Sequence, residues 1–110
     1  MNSALSQTEA LFARLTRGEK AQVLQWAARD LGEAFPGIDS TPGVCGGEAC
    51  IVRTRIPVWL LVQGRKLGSS EADLLKSYLS LRAEDLANAW AYYRAHTAEI
   101  EAQIAENEEA

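Results

Sequence analysis

Few residues of this 110-residue chain have side chains suited to catalysis or metal binding. Cys45 and Cys50 are the two cysteines and His96 is the one histidine. A nucleophilic thiol needs a base beside it and a structural zinc needs four ligands; one histidine far along the chain supplies neither. In a reducing compartment the cysteines read as two small, semi-buried thiols, although their spacing within a turn permits a bridge on oxidation. The sequence holds no paired metal carboxylates, no P-loop and no dinucleotide fingerprint, so neither enzymatic activity nor a cofactor or metal is expected. His96 reads as a partly exposed, structurally idle side chain, and Glu106-Asn107-Glu108-Glu109 as a solvated terminus.

Charge is the remaining signal. Residues 1–50 carry four basic and six acidic side chains, residues 51–82 six and two, and residues 83–110 one and seven, for a total of −4. The basic middle offers a surface to an anionic partner, whereas the acidic end repels nucleic acid. Arg53, Arg55, Arg65, Lys66 and Lys76, with Arg82 nearby, could neutralise phosphates, and Arg82 and Asn88 could read base edges from the last helix. Glu84 and Asp85 oppose that use, because they stand in the first turn of the same helix, where they favour its dipole and disfavour DNA. The plain alternative is that these cations are ordinary surface charges.

The elements that would position these groups are helical. Ser6-Gln7-Thr8-Glu9 and Thr16-Arg17-Gly18-Glu19 both read as capping boxes, predicting helices over about 7–15 and 17–31, with Gly32 as a C-cap. The apolar face of this pair, from Leu11, Phe12 and Leu15 to Val23, Trp26, Ala27 and Leu31, reads as core. Periodicity stops between Pro36 and Glu48, where Pro36-Gly37, Pro42-Gly43 and Gly46-Gly47 mark a loop. Cys50-Ile51-Val52 and Arg55-Ile56-Pro57-Val58, on either side of Arg53-Thr54, suggest a small ribbon, with Pro57 at an edge or at the entry to the next helix.

Helices are then predicted over about 58–67, ending at Gly68, over about 70–78, capped by Ser70 with Asp73 at N3, and in one long run from about Arg82. Two short helices joined by a Gly-Ser turn and followed by a third have the outline of a helix-turn-helix bundle. In the last helix Leu86, Trp90, Tyr93, Thr97, Ile100 and Ile104 are spaced as a coiled-coil seam, which predicts packing against a partner helix and a homodimer. The expected organisation is an N-terminal helical pair over 1–35 and a helix-turn-helix domain over 36–110, together one compact domain. Apolar residues at 47% and charged residues at 24% fit a soluble globular protein. Met1 to Ala10 has no apolar run, so no signal peptide, membrane span or membrane partner is expected, and the cytoplasm is the default location.

The run Gly43-Val44-Cys45-Gly46-Gly47-Glu48-Ala49-Cys50-Ile51-Val52-Arg53-Thr54-Arg55-Ile56-Pro57-Val58 resembles the hallmark of the family called domain of unknown function 433: a Gly-Gly pair, a short strand, then Thr-Arg-Ile-Pro-Val leading into a helix. Gly68-Ser69-Ser70-Glu71, Asp73-Leu74-Leu75, Tyr78-Leu79-Ser80-Leu81, Glu84-Asp85-Leu86 and Ala89-Trp90-Ala91-Tyr92-Tyr93 agree with it, and the N-terminal pair with Glu19-Lys20-Ala21-Gln22 resembles a subgroup. Two departures stand out. The family usually has a basic residue followed by Gly or Asn before Thr-Arg-Ile, where this chain has Val52 and Arg53; and Ser80 and Arg82 occupy positions where the family tends to have Pro and Thr, leaving Ser80 as the alternative helix cap.

The resemblance implies a homeodomain-like or winged-helix-like all-α fold with a small β ribbon. For some members it also implies a bacterial VapB-type antitoxin that binds a PIN-like ribonuclease toxin and operator DNA. A basic side chain placed in an acidic nuclease site would compete with its metal, and Arg53 and Arg55 are the candidates, set against the alternative that Arg55 pairs with Glu48 or a helix C-terminus. Leu86, Trp90, Tyr93, Ile100 and Ile104 are the candidate partner-binding residues of the last helix. The competing expectation is a homo-oligomeric adaptor that binds protein and never touches DNA.

Overall fold

The computed structural model describes residues 3–31, 34–43 and 45–109. The chain divides into two compact units, Met1–Ala34 and Phe35–Ala110.

The first unit is a pair of helices, α1 (Ala4–Phe12) and α2 (Arg17–Asp30). α1 starts earlier than the Ser6 capping box predicts, because Ser3 caps it: the Ser3 hydroxyl accepts from the Ser6 N–H at 3.1 Å, which places Ser6 inside the helix. α2 begins as predicted. Thr16 Oγ1 accepts from the Glu19 N–H at 3.1 Å and Glu19 Oε1 accepts from the Thr16 N–H at 2.9 Å, so two otherwise orphaned amide donors are satisfied reciprocally. The expected Gly32 cap lies outside the described residues. No residue of either helix is buried, so the apolar face does not form a core within this unit.

The second unit opens with a two-stranded antiparallel sheet, β1 (Ile38–Asp39) and β2 (Cys50–Ile51), in which Ile38 faces Ile51 and Asp39 faces Cys50. The expected ribbon partner was the segment 55–58. Its backbone does return to β2, with the Ile51 N–H donating to Ile56 O at 3.0 Å, but the sheet itself forms with a strand inside the predicted loop. A two-residue strand carries too little alternation to stand out, and the turn that brings it into place depends on Gly37 at φ 73°, with Gly37 O accepting from the Val52 N–H at 3.0 Å. Thr54 closes the next turn, its hydroxyl donating to Ile51 O at 2.8 Å and accepting from the Ile56 N–H at 3.0 Å.

Four helices follow: α3 (Val58–Lys66), α4 (Glu71–Ser77), α5 (Ala83–Ala95) and α6 (Thr97–Glu109). Pro57 stands at the entry to α3 with φ −74°, where its missing N–H costs nothing. The Ser70–Asp73 capping box starts α4 as predicted. At α5 the N-cap position is Arg82, not Ser80, and Asp85 reaches back to accept the Arg82 N–H at 2.8 Å.

The expected long terminal helix is two helices. At His96 the backbone leaves helical geometry (φ −132°, ψ 41°), and Tyr93 O, near the end of α5, accepts from Thr97 Oγ1 at 2.8 Å as well as from the His96 N–H at 3.2 Å. The reversal is held by His96 stacking on Tyr92, ring centroids 4.0 Å apart, with Phe35 edge-on to both. It carries α6 back to pack on α3 and α5. The core of this unit gathers Ile51, Val58, Leu61, Leu86 and Ile100, all fully buried, with Ile38, Val62, Leu74, Leu81, Ala89 and Ile104 around them. The described residues are thus mostly helical with one small β ribbon, the predicted all-α class with a minor strand pair.

Candidate functional site

The basic residues of the middle segment do not form one cationic face. Arg53 is turned inward. Its Nη2 lies 3.3 Å from Asp85 Oδ1 and 3.5 Å from Oδ2, its side chain retains 17% of its surface and that of Asp85 retains 3%. Asp85 also faces the start of α5, so a buried carboxylate is compensated by a guanidinium, a backbone N–H and the helix dipole together. Arg53 adopts φ 67°, the left-handed region in which the family's usual Gly or Asn is comfortable; this chain accepts that backbone cost where it gains an ion pair. As a phosphate or toxin contact Arg53 is therefore already engaged.

The other cations divide similarly. Lys66 Nζ binds the Glu101 carboxylate, which also accepts from Tyr93 Oη. The Lys66 bond holds the Glu101 carboxyl below its usual range and raises the Lys66 ammonium, while the hydrogen bond that Tyr93 donates to Glu101 raises the Tyr93 phenol. Arg82 stands at the α5 N-cap, 3.4 Å from Glu84. Asn88 is packed on the Pro36-Gly37 turn, with a Cβ built at Gly37 falling 2.4 Å from its Nδ2, so it is a turn contact and not a free base-reading side chain. Arg55 is exposed and has no ion-pair partner among the described residues; Glu48, its expected partner, accepts from Trp59 Nε1 at 3.1 Å. Lys76 is exposed at the end of α4.

The outward stripe of α5 decides how well it could read a DNA groove. Its exposed positions are Ala83, Glu84, Ala87, Arg94 and Ala95. Three alanines, one acid and one cation give little direct readout, which needs amide or guanidinium groups aimed at base edges.

Leu86, Ile100 and Ile104, expected on an intermolecular seam, belong to this chain's own core, at 0%, 0% and 5% exposure. The break at His96 is the reason: the seam spacing assumed one straight helix, and the reversal turns its two halves onto α3. Trp90 and Tyr93 are only half-buried. They line an open cleft of about 260 Å³ with Val62 and Arg65 from α3, Glu71 from α4 and Arg94 from α5. Arg65 lies over the Trp90 ring, 5.6 Å from its centroid, and its Nη1 is 3.3 Å from Glu71 Oε2. Arg94 is exposed and no ion pair engages it among the described residues. Trp90 Nε1 and Gln103 Oε1 are buried and find no hydrogen-bond partner among the described residues. Arg94 was absent from the sequence-based candidates, yet its position four residues after Trp90, on the same helix face, could have indicated it.

Of the groups that could do other chemistry, Cys50 is buried and Cys45 half-buried on a 3₁₀ turn, Cys45–Gly47; both are free thiols. Burial, with Cys45 alongside, pushes the Cys50 thiol up to about 12. No cluster of His, Cys, Asp and Glu able to hold a metal ion occurs among the described residues, and no described helix is long and apolar enough to cross a membrane.

The sequence model described as "Protein of unknown function (DUF433)" matches residues 38–93. Among solved structures, a crystal structure of a DUF433 member protein from Anabaena variabilis ATCC 29413, at 2.00 Å resolution, is 40% identical, with 96% of this chain and 99% of that one covered and a TM-score of 0.65. No curated protein matches the chain. The matched span runs from β1 into α5 and holds the cleft residues Val62, Arg65, Glu71, Trp90 and Tyr93, with Arg94 and α6 beyond it, and the chain belongs to the DUF433 family.

Proposed function

We propose that this chain is a non-enzymatic bacterial binding protein that holds an acidic surface of a protein partner in the α3–α5 cleft, in the role of a cytoplasmic antitoxin engaging a PIN-like nuclease. The observation that carries the reading is the cleft itself: two guanidinium groups, of Arg65 and Arg94, beside the aromatic walls of Trp90 and Tyr93. Trp, Tyr and Arg are the residue types that dominate binding energy at protein interfaces: the aromatics present large area with little entropy to lose and a polar edge for orientation, and arginine adds a planar fork of donors that matches a carboxylate. Arg94 has no competing ion pair among the described residues, and the Arg65–Glu71 pair, both partners about half exposed, is weak enough to yield to an incoming carboxylate. A metal-binding nuclease site is rich in carboxylates, and Arg55, exposed and unpaired among the described residues, is a second cation able to meet one.

Operator DNA has a secondary place in this reading. Of the cations considered for it, Arg53 and Lys66 are engaged within the chain, and α5 presents mainly alanine outward. Weak, salt-sensitive, sequence-independent retention is the DNA behaviour expected of what remains.

The test is affinity capture with the tagged chain from its native host, with and without nuclease treatment, repeated with Arg94→Glu and Trp90→Ala. Stoichiometric recovery of a small nuclease-like protein that both variants lose, with their circular dichroism unchanged, is the expected result. Equal recovery by the variants would remove the cleft from the interface, and recovery of the bare chain alone would end the antitoxin reading.

A further inference from the structure

The N-terminal pair poses a separate problem. Six of its large apolar side chains are open: Leu5 at 49% exposure, Leu11 at 59%, Phe12 at 40%, Leu24 at 69%, Trp26 at 56% and Leu31 at 54%. Helices of 9 and 14 residues with nothing buried are marginal on their own, and a unit of about 34 residues falls below the size at which a single core suffices. An apolar surface of this kind marks an interaction site.

Spacing and charge indicate what covers it. Leu24, Ala27 and Leu31 follow the three- and four-residue steps of a seam, Lys20 continues it toward the N-terminus, and Val23 and Ala28 flank it with further apolar surface. Trp26 lies on another side of the helix, about 200° round from Leu24. Phe12 of α1 and Lys20, Ala21, Val23, Leu24 and Ala27 of α2 line an open, mostly apolar groove alongside, with Lys20 Nζ over the Phe12 ring, 5.2 Å from its centroid. Residues 1–34 carry four basic and four acidic side chains, so this unit has no net charge to recruit an acidic or a basic partner; residues 35–110 carry seven and eleven, a net −4.

We infer that the Leu24–Ala27–Leu31 face of α2 is the contact by which two copies of this chain form a twofold dimer, α2 running antiparallel to its symmetry mate. The arrangement is self-complementary. It sets Leu24 of each copy against the small Ala27 of the other, and brings Lys20, near one end of the seam, toward the flanking Asp30 at the other end, twice over by symmetry. The two helical pairs then make a four-helix bundle, which gives the open faces a common interior. The neutral units meet while the two acidic bodies, each at −4, take no part in the contact. The dimer is built from residues other than those of the α3–α5 cleft, and neither proposal depends on the other.

The experiment uses the purified full-length chain alone. Sedimentation equilibrium from about 1 to 200 µM is expected to show a reversible monomer–dimer equilibrium, with the dissociation constant raised at least about a hundredfold by Leu24→Glu/Leu31→Glu and unchanged by Trp26→Gln. Isotope-filtered NOE spectra of a mixed labelled and unlabelled wild-type sample guard against misfolding of the variant: contacts between copies at the Leu24 and Leu31 methyls are expected. A monomer across the whole range, a dimer that survives the double variant or is broken by Trp26→Gln, or Leu24 and Leu31 contacts confined to residues 35–110 of the same copy would each overturn the inference.

Discussion

Replacing Arg53 separates two opposing effects that meet at one residue. In Arg53→Ala the backbone keeps its φ of 67°, a cost that Arg and Ala share, while Asp85 loses the guanidinium and retains the Arg82 N–H and the dipole of α5. Breaking a fully buried pair costs about 3–5 kcal/mol. The bonds here are long, 3.3 and 3.5 Å, and the arginine side chain keeps 17% of its surface, so water partly compensates and about 2 kcal/mol is expected. In Arg53→Gly the same pair is lost, but the left-handed backbone cost of about 1 kcal/mol is relieved, leaving a net loss of about 1 kcal/mol. The order wild type, Gly, Ala is thus the signature. Urea unfolding followed by tryptophan fluorescence, with m-values compared to confirm that the denatured state is unchanged, measures it. A cycle with Asp85→Asn isolates the coupling. If Ala and Gly are equally destabilising, the positive φ carries no cost; if Ala lies within experimental error of wild type, Asp85 does not depend on Arg53.

Gly37→Ala places a Cβ 2.4 Å from Asn88 Nδ2 at φ 73° and should cost about 2 kcal/mol, part of it recovered in Gly37→Ala/Asn88→Ala, as read by thermal unfolding. Ile100→Ala opens a cavity at a fully buried position and should cost about 3 kcal/mol; a cost under 1 kcal/mol would mean that α6 does not complete the core. Asp73 is held below the ordinary aspartate range first by the Ser70 backbone N–H and then by its hydroxyl, and Glu101 below the ordinary glutamate range by Lys66, then Tyr93. Depressed carboxylates contribute stability above their unfolded pKa, and it is lost as pH falls through the folded one. NMR titration should find both midpoints low, and ordinary midpoints would argue against the contacts. Iodoacetamide followed by mass spectrometry should modify Cys45 well before the buried Cys50; equal rates would show that β2 opens readily.

The structure removes one partner surface expected from the sequence and leaves others. Leu86, Ile100 and Ile104 are spent inside the chain, whereas Trp90 and Tyr93 stay open beside Arg65 and Arg94. The apolar face of α1 and α2, read from the sequence as core, is open instead. Both reversals concern which side chains meet a foreign surface. A single sequence leaves that choice open, since an apolar stripe looks the same whether its neighbour is the same chain or another.

The features legible in the sequence are local ones. Thr16 with Glu19 and Ser70 with Asp73 start α2 and α4 where read, because a capping box is closed by residues three apart and needs nothing from the rest of the fold. Pro57 at the entry to α3, and the family assigned from the run around Thr54-Arg55-Ile56-Pro57, were legible for the same reason. The fold settles what depends on distance: the break at His96, where Phe35 from far back in the chain packs edge-on against the His96–Tyr92 stack; the pairing of β1 with β2; and the fate of Arg53. Its partner Asp85 is 32 residues away, and a buried carboxylate selects its cation by the geometry of the folded core, which no spacing in the sequence encodes.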